Sequence, residues 1–293
     1  MSEAPALQDR VRAVRTILAE FTRAIVAFSG GVDSTLLLSL SMEALGASNV
    51  LAVTADSPSL SRRDLDDARR LARELGARHL VVDTHELEDP SYRANAGNRC
   101  YLCKRTLFVE LDELARQLRM PVILYGAIGD DVAAERPGQR AASEHGVRAP
   151  LQEAGLAKWD VRELARLRGL SNWEKPQDAC LSSRIPHGQS VTVEKLRQVE
   201  IAEEMLVSLG FHHVRVRHIG AHARVEVGQE EVDRLEDAGL RRTIADRLSA
   251  LGFRSMSVSR YVPGGADRPA PERWVIAEPA HTDGSLQEGR LAA

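Results

Sequence analysis

The sequence lacks the features that mark several broad classes of protein. No stretch approaches the roughly 18 apolar residues of a membrane-spanning helix, and the charged residues between Met1 and Thr16 argue against a secretory signal. Lys and Arg number 39 against 42 Asp and Glu, so the net charge is −3, without the basic surplus of most nucleic-acid-binding proteins. We therefore expect a cytoplasmic protein with no membrane contact, and we do not expect a nucleic-acid partner.

Cysteine is scarce, and its few positions are clustered. The 293 residues include 3 cysteines, an odd number that argues against a disulfide framework in a reducing compartment. Two of them form the pair Cys100-x-x-Cys103, and the third is Cys180. Rare but clustered cysteines indicate a chemical role rather than a packing role.

The residues alone leave three interpretations of this cysteine set. Three thiolates can hold three irons of a 4Fe–4S cluster and leave the fourth iron open to another ligand. They can bind zinc if a histidine joins them, with His187 as the nearest candidate. The Cys-x-x-Cys pair can also act in redox chemistry, because Arg99 and Lys104 would lower the thiol pKa.

Short apolar runs alternate with amphipathic stretches in the first part of the chain. This pattern predicts buried strands near 24–28, 50–54, 79–83 and 122–126, separated by helices near 5–20, 33–45, 61–75 and 104–119. Such alternation predicts an α/β fold with an open parallel sheet, whose ligands bind at the carboxyl ends of the strands.

The pattern changes near residue 192. A helix at 193–209, strands at 213–218 and 222–227, a helix at 230–251 and a strand at 254–260 predict a smaller C-terminal α+β domain. We therefore predict domains at 1–188 and 189–262 and a flexible tail at 263–293. Residues 127–150 are predicted to be polar and rich in loops.

The first predicted strand ends in the loop Ser29-Gly30-Gly31-Val32-Asp33-Ser34. Two glycines allow a tight turn that brings backbone N–H groups close to an anion, and the following helix adds its unpaired N-terminal amides. The hydroxyls can donate further hydrogen bonds, and Asp33 can hold Mg²⁺ on a pyrophosphate. The Gly-x-Gly-x-x-Gly of dinucleotide folds and the lysine of the Walker loop are both absent here.

This loop resembles the PP-loop of the ATP pyrophosphatase superfamily. The resemblance implies an adenine nucleotide alpha hydrolase-like sheet and an enzyme that cleaves ATP between its α and β phosphates, adenylates a substrate and releases pyrophosphate. NAD synthetases, argininosuccinate and asparagine synthetases and tRNA thiolases share the loop, so it indicates the ATP chemistry but not the acceptor.

Further motifs resemble the LarE-type ATP-dependent sulfur transferases over about residues 8–262. They are the segments 98–104, 136–138, 146–151, 180–186 and 214–217, together with Ala142 and Glu144. The resemblance implies adenylation of the carboxylates of pyridinium-3,5-biscarboxylic acid mononucleotide and their conversion to thiocarboxylates, in biosynthesis of the nickel-pincer nucleotide cofactor of lactate racemase. It also implies an external sulfur donor and a homo-oligomer.

Two sulfur sources occur in that family. In one type, the cysteine at the Cys180 position gives up its own sulfur. In the other, a Cys-x-x-Cys pair joins it to bind a 4Fe–4S cluster. Because Cys100, Cys103 and Cys180 are all present, we favour the cluster type and keep sacrificial transfer from Cys180 as the alternative.

The resemblance and the chemistry together assign the site residues. ATP and Mg²⁺ are assigned to Ser29, Gly30, Gly31, Asp33 and Ser34, with Thr54, Asp56 and Gly126 lining the nucleotide pocket. Cys180, Asp33 and Lys104 are the predicted catalytic residues. The anionic substrate is assigned to Arg99, Ser183, Arg184, Arg215 and Arg217. By family analogy Glu203 would bind a metal or contact another subunit, and Asp130, Asp131, Arg136 and Glu144 have no assigned role.

Two other functions compete with this assignment. A PP-loop tRNA thiolase with a 4Fe–4S cluster would use similar chemistry, although the net charge of −3 disfavours it. A non-catalytic nucleotide-binding or zinc-binding module would bind ATP without releasing pyrophosphate.

Overall fold

A computed structural model describes residues 3–132, 137–176, 179–261 and 274–276. The chain divides into two compact units, Met1–Arg197 and Gln198–Ala293. The division falls inside a helix rather than at the predicted boundary between residues 188 and 189. In the described part of the chain, no helix is long and apolar enough to cross a membrane.

The first unit alternates strands and helices, as predicted. In chain order its elements are α1 (Glu3–Leu18), β1 (Ala24–Ala27), α2 (Val32–Leu45), β2 (Val50–Asp56), α3 (Arg62–Glu74), β3 (Arg78–Asp83), α4 (Pro90–Arg93), α5 (Arg99–Leu118), β4 (Ile123–Tyr125), α6 (Gly129–Val132), α7 (Pro137–Glu144), α8 (Pro150–Glu153) and α9 (Lys158–Leu167).

The four strands form a parallel sheet in the order β3-β2-β1-β4. This confirms the predicted α/β class with a parallel sheet. Because successive side chains of a strand point to opposite faces, β1 contributes to two hydrophobic cores. Ala24 and Val26 pack into the core that includes α2 and α9, whereas Ile25 packs with Phe108 of α5 in the core on the other face. Helices therefore cover both faces, and only the strand ends are free for a site.

Helix α5 begins earlier than predicted. Its first residue is Arg99 rather than Lys104, with Asn98 as the N-cap. Cys100 and Cys103 therefore lie in the first turns of α5, one helical turn apart, and not in a loop before it. Asn98 is of a residue type that favours the N-cap position, so the sequence did contain a signal for this start, although the Asn98 side chain makes no capping hydrogen bond.

The segment at 127–150, predicted to be loop-rich, contains α6 and α7. Helix α7 packs along α5, and Ala141 and Ala142 are buried in the same core as Phe108. Gly138 is the point of close approach, since a Cβ there would lie 3.1 Å from Cγ of Lys104. These short helices escaped prediction because four to eight residues carry too little periodicity to be recognised.

The second unit contains a mixed sheet. Its elements are α10 (Val193–Ser208, which spans the division between the units), β5 (Val214–Ile219), β6 (His222–Val227), α11 (Ala238–Ala250), β7 (Ser255–Arg260) and β8 (Trp274–Ile276). The order is β5-β6-β7-β8, with β6 and β7 parallel and the outer pairs antiparallel. A small α+β block was predicted here, but β8 was not, because it lies in the segment expected to be a tail.

Candidate active site

The loop between β1 and α2 is closed by hydrogen bonds among its own residues. The Ser34 hydroxyl donates to the Gly31 carbonyl at 3.0 Å and accepts from the Ser29 N–H at 3.3 Å. The Thr35 hydroxyl also donates to Gly31, at 2.9 Å. From outside, the buried Asn172 amide donates to the Gly30 carbonyl at 3.0 Å. These hydrogen bonds fix the shape of the loop, and they use the N–H groups of Ser29 and Gly31, which donate to the hydroxyls of Ser34 and Ser29.

Two of the predicted glycines are required by the local geometry. Gly30 has φ +70°, and a Cβ there would lie 3.0 Å from Cα of Ala68 on α3. A Cβ at Gly126, just after β4, would lie 2.8 Å from the backbone N of Ser34. Any side chain at these positions would push α3 or β4 away from the loop.

A cavity of about 310 Å³ lies at the carboxyl ends of β1, β2 and β4. Five residues predicted to bind ATP line it, together with Lys104, Asp131, Gly138 and Gln139; the five are Ser29, Gly31, Asp33, Ser34 and Gly126. Thr54 also lines the cavity, but its hydroxyl already donates to the Phe28 carbonyl at 2.7 Å. It therefore holds β1 and β2 together at the cavity wall.

Asp56 and Gly30 are not among the residues that line this cavity. The carboxylate of Asp56 is engaged by both guanidinium nitrogens of Arg62, at 2.6 and 3.0 Å. Its predicted contact with ATP stays a prediction.

The cavity contains a charged pair that sequence reasoning missed. Nζ of Lys158, at the start of α9, donates to both carboxylate oxygens of Asp33, at 2.7 and 2.8 Å. Burial raises the pKa of Asp33, and the hydrogen bond from Lys158 acts against that rise. The carboxylate of Asp131 lies close enough to raise the pKa of Asp33 further. The two residues are 125 apart along the chain, so no local pattern in the sequence could reveal the pair.

The cavity wall also holds a buried donor without a partner. Nε2 of Gln139, on α7, is buried and has no hydrogen-bond partner among the described residues. An unpaired buried amide costs free energy, so its position in the wall indicates that a ligand satisfies it. The other polar candidates of this region are occupied: Asp130 accepts from the Lys158 N–H at 2.8 Å, and Glu144 accepts from the Tyr101 hydroxyl at 2.7 Å. Arg136 lies outside the described residues.

The structure brings the three cysteines into one neighbourhood. Cys100 and Cys180 are exposed and Cys103 is half-buried; both exposed thiols act to raise the pKa of Cys103, and Cys100 also acts to raise the pKa of Cys180. Desolvation, with Cys180 nearby, raises the pKa of the Cys103 thiol to about 12, while Lys104 acts in the opposite direction. Desolvation also raises the pKa of Cys180, because protein atoms crowd a thiol that still retains solvent-accessible area.

Among the described residues, no group of three or more His, Cys, Asp or Glu side chains is arranged as a ready metal site. The donor set nevertheless fits a 4Fe–4S cluster. It supplies three thiols, and the raised pKa values of Cys103 and Cys180 mean that a bound cation is needed to stabilise their thiolates. For Mg²⁺, Asp33 and Asp131 supply two carboxylates in the cavity, and phosphates and water commonly complete the shell of that ion.

Two basic residues predicted to bind substrate lie against Cys180. Arg99 and Arg184 are both buried, and both lower the pKa of its thiol. Arg184 donates to the carbonyls of Cys180, at 3.0 Å, and Ala179. The Ser183 N–H donates to the Cys180 carbonyl at 2.9 Å, which closes the turn that begins a short 3-10 helix at Leu181–Arg184. The two guanidinium groups therefore make this thiol's surroundings positive.

Lys104 connects this neighbourhood to the nucleotide cavity. Lys104 lines the cavity and follows Cys103 directly in the sequence, and its positive charge acts to lower the pKa of the Cys103 thiol. The predicted ATP site and the predicted cysteine site thus share one cationic side chain.

Comparisons with known proteins agree with this geometry. The sequence profile of the NAD synthase family matches residues 6–127. An uncharacterized protein of Synechocystis is 43% identical over 235 residues, 80% of this chain and 87% of that protein. The pyridinium-3,5-bisthiocarboxylic acid mononucleotide synthase of Lactiplantibacillus plantarum is 37% identical over 241 residues, 82% of this chain and 87% of that enzyme.

The chain belongs to the LarE-type family of PP-loop sulfur transferases. It is therefore an ATP-using, sulfur-transferring enzyme, as the motifs predicted. The tRNA-specific 2-thiouridylase MnmA of Beijerinckia indica is more distant, at 30% identity over 70% of this chain and 54% of that protein.

The remaining predicted residues of this LarE-type chain lie in the second unit. Arg217 is buried and pairs with Glu226, with nitrogen–oxygen distances of 2.9 and 3.0 Å. Arg215 lies over the ring of Tyr261 at 5.4 Å, and Glu203 accepts a hydrogen bond from the Val216 N–H at 2.9 Å. These contacts leave the predicted substrate role of Arg215 and Arg217, and the metal or subunit role of Glu203, as predictions.

Proposed function

We propose that this enzyme adenylates the carboxylates of pyridinium-3,5-biscarboxylic acid mononucleotide with ATP and converts them to thiocarboxylates. One observation carries the proposal: Lys104 lines the nucleotide cavity and also neighbours the thiols. A carboxylate activated in that cavity would lie near Lys104, and a sulfur held by the thiols would lie near the same side chain. The name of the Lactiplantibacillus relative supplies the substrate.

The residues of the first half-reaction bind and neutralise charge. N–H groups of the loop and of the start of α2 would hold the ATP phosphates. Asp33 and Asp131 would hold Mg²⁺ on the pyrophosphate, and the ammonium of Lys158 would move from Asp33 to a phosphate oxygen as the ion arrives. Desolvation of Asp33 strengthens both interactions, since the cavity excludes much of the water that would screen them.

The residues of the second half-reaction orient the adenylated carboxylate toward sulfur. Lys104 would stabilise negative charge on the carbonyl oxygen while the sulfur–carbon bond forms and AMP leaves. Arg99, Ser183 and Arg184 would hold the anionic substrate beside Cys180. In this proposal Cys100, Cys103 and Cys180 hold a 4Fe–4S cluster, which when bound supplies an open coordination position for a sulfide from an external donor.

The proposal is tested with the purified protein, Mg-ATP, the biscarboxylic acid mononucleotide and inorganic sulfide as the external sulfur donor. We expect pyrophosphate release that depends on the mononucleotide, together with product masses in which sulfur replaces oxygen. The Lys104→Met variant should release pyrophosphate and accumulate the adenylate. The ammonium that it lacks is needed mainly after adenylation, when sulfur attacks the activated carboxylate. Pyrophosphate release driven by tRNA instead, with thiolated nucleosides in the digest, would support the tRNA thiolase. Binding of ATP without any pyrophosphate would support the non-catalytic module.

A further inference from the structure

The buried side chain of Asn95 links the segment that carries Cys180 to α5, the helix of Cys100 and Cys103. Asn95 has no exposed surface, and its side-chain Nδ2 lies near three carbonyl acceptors of the segment after Cys180. They are the carbonyls of Ile185 at 3.2 Å, Pro186 at 2.8 Å and Gln189 at 3.1 Å. The backbone carbonyl of Asn95 also accepts from the Gly188 N–H at 3.1 Å.

The other end of the same side chain reaches the cysteine helix. Oδ1 of Asn95 accepts a hydrogen bond from Nη1 of Arg99 at 2.6 Å, and both side chains are buried. Arg99 immediately precedes Cys100. One amide group therefore joins the start of α5, where two cysteines lie, to the segment that carries the third.

The backbone of Asn95 has a conformation that few residue types adopt easily. Its φ is +54°, in the left-handed region that asparagine tolerates better than most residues and glycine best of all. This turn aims the side chain back into the protein, between α4 and α5. Glycine can keep the same backbone while removing every side-chain contact, which makes a clean test available.

A second set of contacts holds the beginning of the segment. The Leu181 N–H donates to the Ser59 carbonyl at 2.8 Å, and the Ser182 hydroxyl lies 2.9 Å from the Tyr92 hydroxyl. Ser59, Tyr92 and Ser182 are all buried. These contacts hold the segment near Cys180, whereas Asn95 is the contact that links it to the helix of Cys100 and Cys103.

We propose that Asn95 is a positioning residue that brings Cys180 to Cys100 and Cys103, so that the three thiols act on one sulfur. The inference rests on the proposed function, because three thiols need to converge only if they share a task. Asn95 touches neither ATP nor a thiol. Its loss should separate the cysteines while the nucleotide cavity remains intact.

The test is thiol cross-linking of the full-length, metal-free protein with ortho-phenylene bismaleimide, a short rigid reagent, followed by peptide mapping. In the wild-type protein we expect a cross-link between the Cys180 peptide and the peptide of Cys100 and Cys103. In Asn95→Gly its yield should fall at least about tenfold, the factor expected from losing one or two hydrogen bonds. ATP binding by equilibrium dialysis should be retained. Asn98→Gly is the matched control, because Asn98 is exposed and makes no side-chain capping bond.

The Asn95→Asp variant separates the two halves of the contact and decides the matter if the glycine variant does not fold. A carboxylate can still accept from Arg99 but cannot donate to the three carbonyls, so cross-linking should fall in this variant too. Wild-type cross-linking in either variant would overturn the proposal, as would an equal loss of cross-linking and ATP binding. A wild-type protein that cross-links but makes no thiocarboxylate would instead refute the proposed function and leave the positioning role intact.

Discussion

The predicted ATP loop and the cysteine neighbourhood are the two halves of the proposed site, and they are built in opposite ways. The loop consists of six consecutive residues whose hydroxyls and carbonyls bond to one another, so its shape is largely local. The cysteine neighbourhood joins the start of α5 to the segment around Cys180, and Asn95 and Tyr92 make the joins. Local chemistry is readable in a sequence, whereas a contact across about 90 residues is not.

The largest expected effect belongs to the loop alone. Asp33→Asn should reduce pyrophosphate release by on the order of 10²–10³-fold, because the amide cannot hold Mg²⁺ and no longer pairs ionically with Lys158. Thiol cross-linking should be unchanged. The measurement is a coupled pyrophosphate assay, and unaltered release would contradict the role of the loop.

The complementary change breaks the cysteine half. Replacing Cys100 and Cys103 together by Ala should leave the first adenylation intact but stop multiple turnover, since the remaining thiol can act once at most. The assay compares pyrophosphate and thiocarboxylate per enzyme under excess substrate. Sustained turnover in this variant would show that Cys180 does not depend on the pair.

A smaller effect tests how tightly the loop is packed. Gly30→Ala places a methyl group 3.0 Å from Cα of Ala68 at φ +70°. It should lower the free energy of unfolding by about 2–4 kcal/mol, the sum of overpacking and left-handed strain. Gly76→Ala is the control, because Gly76 has φ +67° but no atom within 4 Å of the added methyl. It should cost only about 1–2 kcal/mol. Equal losses in denaturant titrations would mean that packing against α3 does not matter.

The smallest expected effect is a shift in pH dependence. Desolvation raises the pKa of Asp33, and Lys158 lowers it. Since Asp33 must be ionised to hold Mg²⁺, pyrophosphate release should decline as the pH falls through this raised pKa. Lys158→Met removes the opposing charge, so the acidic limb of the profile should move to higher pH. A limb that stays in place or moves to lower pH would contradict the pairing.

The parallel sheet, the loop and a chemical role for the three cysteines could be predicted from the sequence, because each prediction depends on a local pattern or on residue type. The sequence did not predict Lys158 beside Asp33, the unpaired amide of Gln139 or the hydrogen bonds by which Asn95 links α5 to the segment after Cys180. Each of these depends on which distant segment meets the site, and single polar residues carry no periodicity that would reveal it. For Asn95 the sequence shows only an Ala-Asn-Ala-Gly stretch, which is typical of a turn.

The domain roles illustrate the same limit. The elements of the second unit follow the predicted order apart from β8, yet Arg215 and Arg217, both predicted to bind the anionic substrate, differ in exposure. The register of β5 and β6 places Glu226 opposite Arg215, and the buried Arg217 reaches Glu226 diagonally from two residues along the strand. An alternating pattern shows which residues share a face, but it does not show what covers that face.

The central claim, that three thiols serve one ATP-dependent sulfur transfer, is tested most directly by one combined measurement. Iron and labile sulfide are determined on protein purified without oxygen, and the intact mass is recorded before and after reaction with ATP and the mononucleotide. If the three cysteines hold a 4Fe–4S cluster, we expect about four irons per chain and a polypeptide mass that does not change. Absence of iron, with the loss of the mass of hydrogen sulfide at Cys180, would contradict it and make that cysteine the sulfur source.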